Sequence, residues 1–257
     1  MNSKAFVLSW TGLFCCCLIL AGCAGRYPVR ISMEDQAALD LALTAQQINA
    51  GITTCKGMAW LTLKDSNKPD QKYRLAWAAA PPDKIRMTLL SAGLPMETIL
   101  ADGKQVTFVS HVGSHDRHTL NSSDPPLEKL LSIPVSLTEI VALLAGRIPV
   151  KPFDKATWSE KDEDRKSVIL TRKWKGTIGK IWWNRSDEVY MVQALDTKGN
   201  PVYSLYRNDI RDQGSVRIPF NYRITDNDGR SLALEITQFQ PNIQVKPSVF
   251  SLTDARE

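Results

Sequence analysis

The side chains able to form covalent, metal or nucleophilic chemistry are few in this 257-residue chain, which has five cysteines and three histidines. Cys15, Cys16, Cys17 and Cys23 fall in an apolar N-terminal stretch, leaving Cys55 as the lone thiol beyond it. A lone thiol has no intramolecular disulfide partner, and Cys55 reads as a small buried hydrophobe rather than a reactive group. His111, His115 and His118 cluster beside Asp116. Zinc needs three or four convergent ligands, and this strand-to-loop run has no ligand spacing, so surface histidines are expected. No Gly-x-Ser-x-Gly elbow presents a serine nucleophile. Gly176-Thr177-Ile178-Gly179-Lys180 lacks the spacing of a phosphate-binding loop. Trp174, Trp182 and Trp183 lie near Lys173, Lys175 and Lys180, a combination suited to lipid head groups or glycan, or to a solvated sheet face with aromatic packing. The second is the expectation. No pattern calls for a cofactor or a metal, and no nucleophile stands beside a base, so the chain reads as non-enzymatic.

Cys23 differs from the other cysteines in its context. Lys4 supplies a positive start, and residues 6–20 form an apolar run shorter than the roughly 20 residues of a membrane-spanning helix. Leu20-Ala21-Gly22-Cys23 then matches the lipobox of bacterial lipoprotein signals, where small residues fit the peptidase cleft and the cysteine sulfur carries diacylglycerol. The expectation is a signal peptide over residues 1–22, a lipidated tether over 23–32 and a single domain over 33–257. By the sorting preference of such proteins, Ala24 in place of aspartate points to the outer membrane, with the chain facing the periplasm. Removing residues 1–22 removes one charge, Lys4, and lowers the net charge from +5 to +4. So slight an excess gives no sign of nucleic-acid binding.

The elements that would position these residues follow from periodicity. Ala37, Leu39, Leu41, Leu43 and Ile48 predict a helix from Met33 ending near Gly51. Alternation predicts strands over residues 55–63, 73–79, 84–89, 96–100 and 106–109, an antiparallel meander with one apolar face. Ala92-Gly93-Leu94-Pro95 reads as a loop, Ala101-Asp102-Gly103-Lys104 as a hairpin turn, and a polar loop runs through His118 to Asp124. Asp124-Pro125-Pro126-Leu127-Glu128 opens a short helix. Ser136 with Glu139 forms a capping box for another, which Gly146 and Pro149 end. Six more strands are expected over residues 167–171, 178–183, 189–195, 202–206, 218–224 and 232–239. The fold class is α+β and mainly antiparallel β.

The order and spacing of several strings resemble the LolB-like outer-membrane lipoproteins of the LolA/LolB lipoprotein-localisation superfamily. The matching region is continuous over about residues 51–149. It holds a strand ending in Trp60, then Tyr73-Arg74-Leu75-Ala76-Trp77, Ala80-Pro81-Pro82-Asp83-Lys84-Ile85-Arg86 and Leu89-Leu90-Ser91-Ala92-Gly93-Leu94. Two helices follow, joined by Ile133-Pro134-Val135-Ser136-Leu137 and closing in Leu144-Ala145-Gly146-Arg147-Ile148-Pro149. The resemblance implies a curved half-barrel capped by helices around an apolar cavity for the acyl chains of lipoproteins. It implies delivery by a periplasmic LolA-type carrier and insertion into the outer membrane by a monomer. Leu94, with Met96, would form the membrane-insertion loop, against the alternative of a leucine folded back on the core. Trp60, Leu75, Trp77, Ile85, Met87, Leu89, Leu100 and Phe108, with Ile140, Leu143 and Leu144 from the second helix, would line the cavity; plain core is the alternative for each. The competing function is a structural or sensory envelope lipoprotein that uses the same half-barrel without lipoprotein transfer.

Overall fold

Alternation builds the sheet one strand at a time. In β1 (Cys55–Asp65), Ala59, Leu61 and Leu63 are buried while Trp60 and Thr62 take the opposite face, as a half-covered strand requires. The computed structural model describes residues 33–65, 67–113, 116–161 and 165–251; the expected signal peptide, Cys23 and the tether lie outside them. After β1 come β2 (Lys68–Ala80), β3 (Lys84–Ser91), β4 (Leu94–Asp102), β5 (Val106–Ser110) and β6 (Arg117–Leu120). A second meander holds β7 (Lys155–Lys161), β8 (Lys166–Arg172), β9 (Gly176–Trp183), β10 (Val189–Leu195), β11 (Pro201–Gln213), β12 (Val216–Asp226) and β13 (Ser231–Pro241). β1 pairs antiparallel with β13 from Cys55↔Pro241 to Lys64↔Ser231. The thirteen strands therefore make one sheet, in the order β6-β5-β4-β3-β2-β1-β13-β12-β11-β10-β9-β8-β7, with β6 and β7 as its free edges.

Two of these strands were not expected. β6 occupies part of the predicted polar loop, and its Arg117, His118 and Thr119 are exposed. β7 has the polar composition KATWSEK. An edge strand pairs on one side only and tolerates polar side chains, so neither carries the apolar alternation that marks the inner strands. The predicted loop at residues 92–95 is instead a two-residue hairpin. Ala92 (φ 49°) and Gly93 (φ 84°) form the turn, and Leu94 pairs with Ser91 as the first residue of β4. Two successive left-handed residues are what a tight hairpin demands.

Helix α1 (Met33–Gln47) buries Ala38, Ala42 and Ala45 and packs against β7 and β8. The sequence pointed to the leucines, yet Leu39 and Leu41 are only partly buried and Leu43 is 44% exposed. Alanines at this spacing let the helix backbone approach the sheet closely, and the longer side chains flank the contact. The helix gives way to left-handed Asn49 (φ 55°) rather than Gly51, and the Asn49 amide donates to the carbonyls of Gly146 at 2.8 Å and Arg217 at 2.9 Å. Helices α2 (Glu128–Leu131) and α3 (Leu137–Leu144) link the two meanders, and a 3-10 helix (Pro247–Phe250) packs against β3 and β4.

Gly57 shows how tightly the inner face is filled. A Cβ there would lie 2.3 Å from Trp77 Cζ2 and 2.6 Å from the Gln238 carbonyl oxygen. Gly57→Ala should therefore lower stability by about 1–3 kcal/mol, the usual cost of overpacking. In urea unfolding, adding Trp77→Leu should recover part of the Gly57→Ala loss. Strictly additive losses would show that the indole is not the obstacle.

Candidate functional site

The segment that joins the meanders is folded on itself before it meets the sheet. Leu127 N donates to the Val135 carbonyl at 2.8 Å and Leu137 N to that of Pro125 at 3.1 Å, and Pro126 bridges Ser136. The capping box expected at Ser136 and Glu139 is present, with Ser136 N donating to Glu139 Oε2 at 2.8 Å. Asp124 Oδ1 accepts the Thr138 N–H at 2.8 Å. These bonds satisfy helix-end donors that burial would otherwise leave orphaned.

Under α2 and α3 lies a void of about 20 Å³ bordered by apolar atoms. Its floor is Leu61, Leu75, Met87, Tyr222, Ile224, Leu232 and Leu234; its roof is Leu131, Ile140, Leu143 and Leu144. Such a space holds about one water and is far below the roughly 300 Å³ of a ligand pocket. Beside α2 an open groove of about 510 Å³ runs between Phe108 and Leu120 of the sheet edge and Pro126, Leu127 and Leu130 of the linking segment, with Glu97, His118, Glu128 and Lys129 on its border. Leu130 lines the groove and its neighbour Leu131 the void, so the single turn of α2 is the wall between them.

That wall is held by one guanidinium. Arg230 donates to Asp226 Oδ2 at 2.7 Å, to Glu128 Oε1 at 2.9 Å and to Asp228 Oδ2 at 3.1 Å. Asp226 and Asp228 belong to the β12–β13 hairpin and fix the fork in place, so pairing with Glu128 on α2 costs little further side-chain entropy. Glu128 is about half exposed, and exposed pairs contribute about 0–1 kcal/mol. The clamp is thus weak enough to open.

Polar groups are buried around the apolar zone. Glu139 is 7% exposed and pairs with Lys151 at 3.3 Å. Tyr203 lies against it, and burial, reinforced by the Glu139 charge, holds the phenol well above its usual range. Arg207, 4% exposed beside Tyr222, donates to the Val189 carbonyl at 3.1 Å. Burial pushes Tyr222 up to about 12 and Arg207 down. Among the described residues no three His, Cys, Asp or Glu side chains converge to hold a metal. His111 Nε2 lies 2.8 Å from Thr98 Oγ1, His118 borders the groove, and His115 is outside the described residues.

The structure sorts the residues expected to line a cavity. Leu75, Met87, Ile140, Leu143 and Leu144 surround the void, and Phe108 lines the groove. Trp77, Ile85 and Leu89 are buried in the same core without bordering the void. Trp60 faces the other side of the sheet, in an open groove with Tyr206, Asn208 and Glu235, and Lys72 and Arg74 lie over its ring at 4.9 and 5.4 Å. Leu100 is also out of phase, paired with Arg86 and Thr107. Like Phe250 of the 3-10 helix, it is buried apart from the main core cluster. Both are corrections, since the alternation through Leu61 and Ile99 assigns Trp60 and Leu100 to the opposite face. Leu94 is 68% exposed at the hairpin turn, with Met96 half-buried two residues on. The three tryptophans do not share one solvated face. Trp183 is core, Trp182 lies under Lys180 at 4.6 Å, and Trp174 is 93% exposed at a turn. Leu61, Leu131, Tyr222, Ile224, Leu232 and Leu234 were missed as lining residues. The alternation of the five strand residues is visible in the sequence, but the β1–β13 pairing that brings them together is not, and Leu131 sits on a helix of one turn, too short to show a period.

No protein-family model and no curated protein matches this sequence. A LolA superfamily protein from Nitrosomonas europaea superposes with a TM-score of 0.60 at 14% identity, over 86% of this chain and 99% of that one. A DUF1329 family protein from Desulfovibrio piger gives 0.64 at 8% identity, over 86% and 98%. A domain named for outer membrane lipoprotein sorting, from Vibrio parahaemolyticus, gives 0.52 at 10%, over 84% and 97%. The chain has a LolA-like fold. At these identities the likeness establishes the open half-barrel with its helices, and the ligand must be argued from the site.

Cys55 belongs to the buried floor near α3, its Sγ 3.6 Å from the Leu144 carbonyl oxygen. It is fully buried, and burial pushes the thiol up to about 11 from 9.0. A thiol whose folded value is raised keeps its full contribution below pH 9 and loses it as the pH rises towards 11, because the unfolded chain ionises first. The loss from this group amounts to about 2–3 kcal/mol. Denaturant midpoints measured from pH 8 to 11 should fall less steeply in Cys55→Ala than in the parent; parallel profiles would show that the thiol does not titrate as a buried group.

Proposed function

We propose that this protein is a non-enzymatic, lipid-anchored envelope protein that shelters acyl chains between its sheet and α2–α3. In the finer form, which the LolB-like strings favour, it accepts lipoproteins from a periplasmic LolA-type carrier and inserts them into the outer membrane. The supporting observation is the apolar void under α2 and α3, separated from an open apolar groove by one helical turn. Each methylene moved from water into such a site gains about 0.8 kcal/mol, so acyl chains need shelter to cross an aqueous space. Nothing else is asked of the protein, and no chemistry is required of its side chains. In the closed state, α2 and α3 fill the shelter with their own leucines and isoleucine, and displacement of α2 joins void and groove. No helix among the described residues is long and apolar enough to cross a membrane, and the lipid on Cys23 would supply the attachment. Leu94 stands exposed on a tight turn at the sheet rim, placed to enter the apolar layer of a membrane while cargo leaves.

The test is transfer of a radiolabelled lipoprotein from its carrier to this protein, with mass spectrometry of the lipid it holds. Transfer should occur, and Ile140→Glu, which puts a charge in the roof of the void, should abolish acceptance. Leu94→Glu should leave acceptance intact and slow release into vesicles roughly tenfold, the worth of one buried leucine. The absence of both bound acyl chains and transfer would refute the reading and favour a structural or sensory envelope protein.

A further inference from the structure

Strand direction places the β8–β9 hairpin on the same rim of the sheet as the Leu94 turn. From Arg74↔Leu90 the strands run through Lys64↔Ser231, Tyr203↔Asp226 and Ala194↔Gly179 to Arg172↔Gly176 without a change of edge. At that tip Trp174 adopts φ 69° and is 93% exposed. A tryptophan held clear of the protein in a left-handed conformation gains nothing from the fold. Lys173 and Lys175 flank it and are exposed, as are Lys155 at the start of β7 and Lys198 in the adjoining β10–β11 turn. Lys173 Nζ lies 5.7 Å from the Trp174 ring. The nearby acids are turned into the turns: Asp154 accepts from Lys173 N at 2.6 Å, and Asp196 from Lys198 N and Asn200 N at 2.8 Å. The outward surface is therefore one indole ringed by lysines.

We propose that the Trp174 hairpin tip is a docking point for an anionic lipid surface, seating the Leu94 rim of the sheet against the membrane. Charge complementarity selects the occupant. Tryptophan settles at the head-group level of a bilayer, and each lysine near an anionic surface multiplies partitioning roughly fivefold. An uncharged oligosaccharide would stack on the indole but draw no benefit from four lysines. With the tip docked, Leu94 faces the same surface, so cargo is released where the membrane can take it up. The proposal rests on the reading that this protein delivers acyl chains to a membrane.

The experiment uses the full chain, reconstituted in vesicles of phosphatidylglycerol and phosphatidylethanolamine. A fluorophore is placed at Thr197→Cys, in the turn beside Gly176, or at Ser186→Cys on the opposite rim. Acrylamide quenching at Thr197 should be roughly threefold weaker than at Ser186, as for a group held in the interface. Vesicles of phosphatidylcholine alone, or the combination Trp174→Ser, Lys173→Glu and Lys175→Glu, should abolish the difference. Equal quenching at the two positions, shielding that survives the triple substitution, or shielding by added oligosaccharide but not by vesicles would each overturn the proposal. Acceptance of labelled lipoprotein is measured on the same samples. Acceptance without shielding fails the docking point alone, and shielding without acceptance fails the acyl-shelter reading alone.

Discussion

The ladder between β1 and β13 joins residues 55–64 to residues 231–241, and every larger feature of the molecule depends on it. Without this pairing there are two meanders, of six and seven strands, each with an unpaired edge and half of an apolar face. With it, Ala59, Leu61 and Leu63 of β1 lie beside Leu232, Leu234 and Ile236 of β13, and the two halves become one floor. The void sits over this seam, since Leu61, Leu232 and Leu234 all border it. The contact is non-local in the extreme, and such pairings form only after a long loop is closed.

A floor of this kind has to be covered, and the cover determines what the protein can do. Leu131, Ile140, Leu143 and Leu144 fill the space now. Replacing them by acyl methylenes exchanges one apolar filling for another, so the net free energy of the exchange is a small difference between large terms. A small difference suits the proposed uptake and release of acyl chains. The Arg230 clamp on Glu128 adds a modest, geometrically defined barrier, and α2 buries only Leu131, whereas α3 buries Leu137, Glu139, Ile140, Val141, Leu143 and Leu144. On the proposed acyl-shelter reading, that inequality makes α2 the part that moves first.

Much of this was legible in the sequence. Period-2 alternation marked the inner strands, the capping box at Ser136 and Glu139 marked α3, and the order of strings through Pro149 pointed to the half-barrel. What failed has physical causes. β6 and β7 are edge strands with polar side chains, so alternation was absent from them. Pro95 makes the Leu94 turn look like a loop in the sequence, although Pro95 forms the second pair of β4, opposite Leu90 and beside a register shift, where the ladder tolerates a missing donor. The resemblance places Trp60 and Leu100 in the cavity, whereas strand parity assigns them to the other face. Hydropathy points to the leucines of α1, whereas its contact with the sheet runs through Ala38, Ala42 and Ala45, because close approach of a helix is not visible in hydropathy. The floor residues of β12 and β13 could be named only once strand pairing was known.

Hydrogen exchange of the protein with and without an acylated peptide tests the central claim most directly, because it reads each segment separately. The account predicts faster exchange over residues 128–131 when the acyl chain is bound, a smaller change over residues 137–144, and unchanged protection in β1 and β13. Binding that leaves residues 128–144 as protected as before, or that loosens the β1–β13 ladder instead, would contradict it.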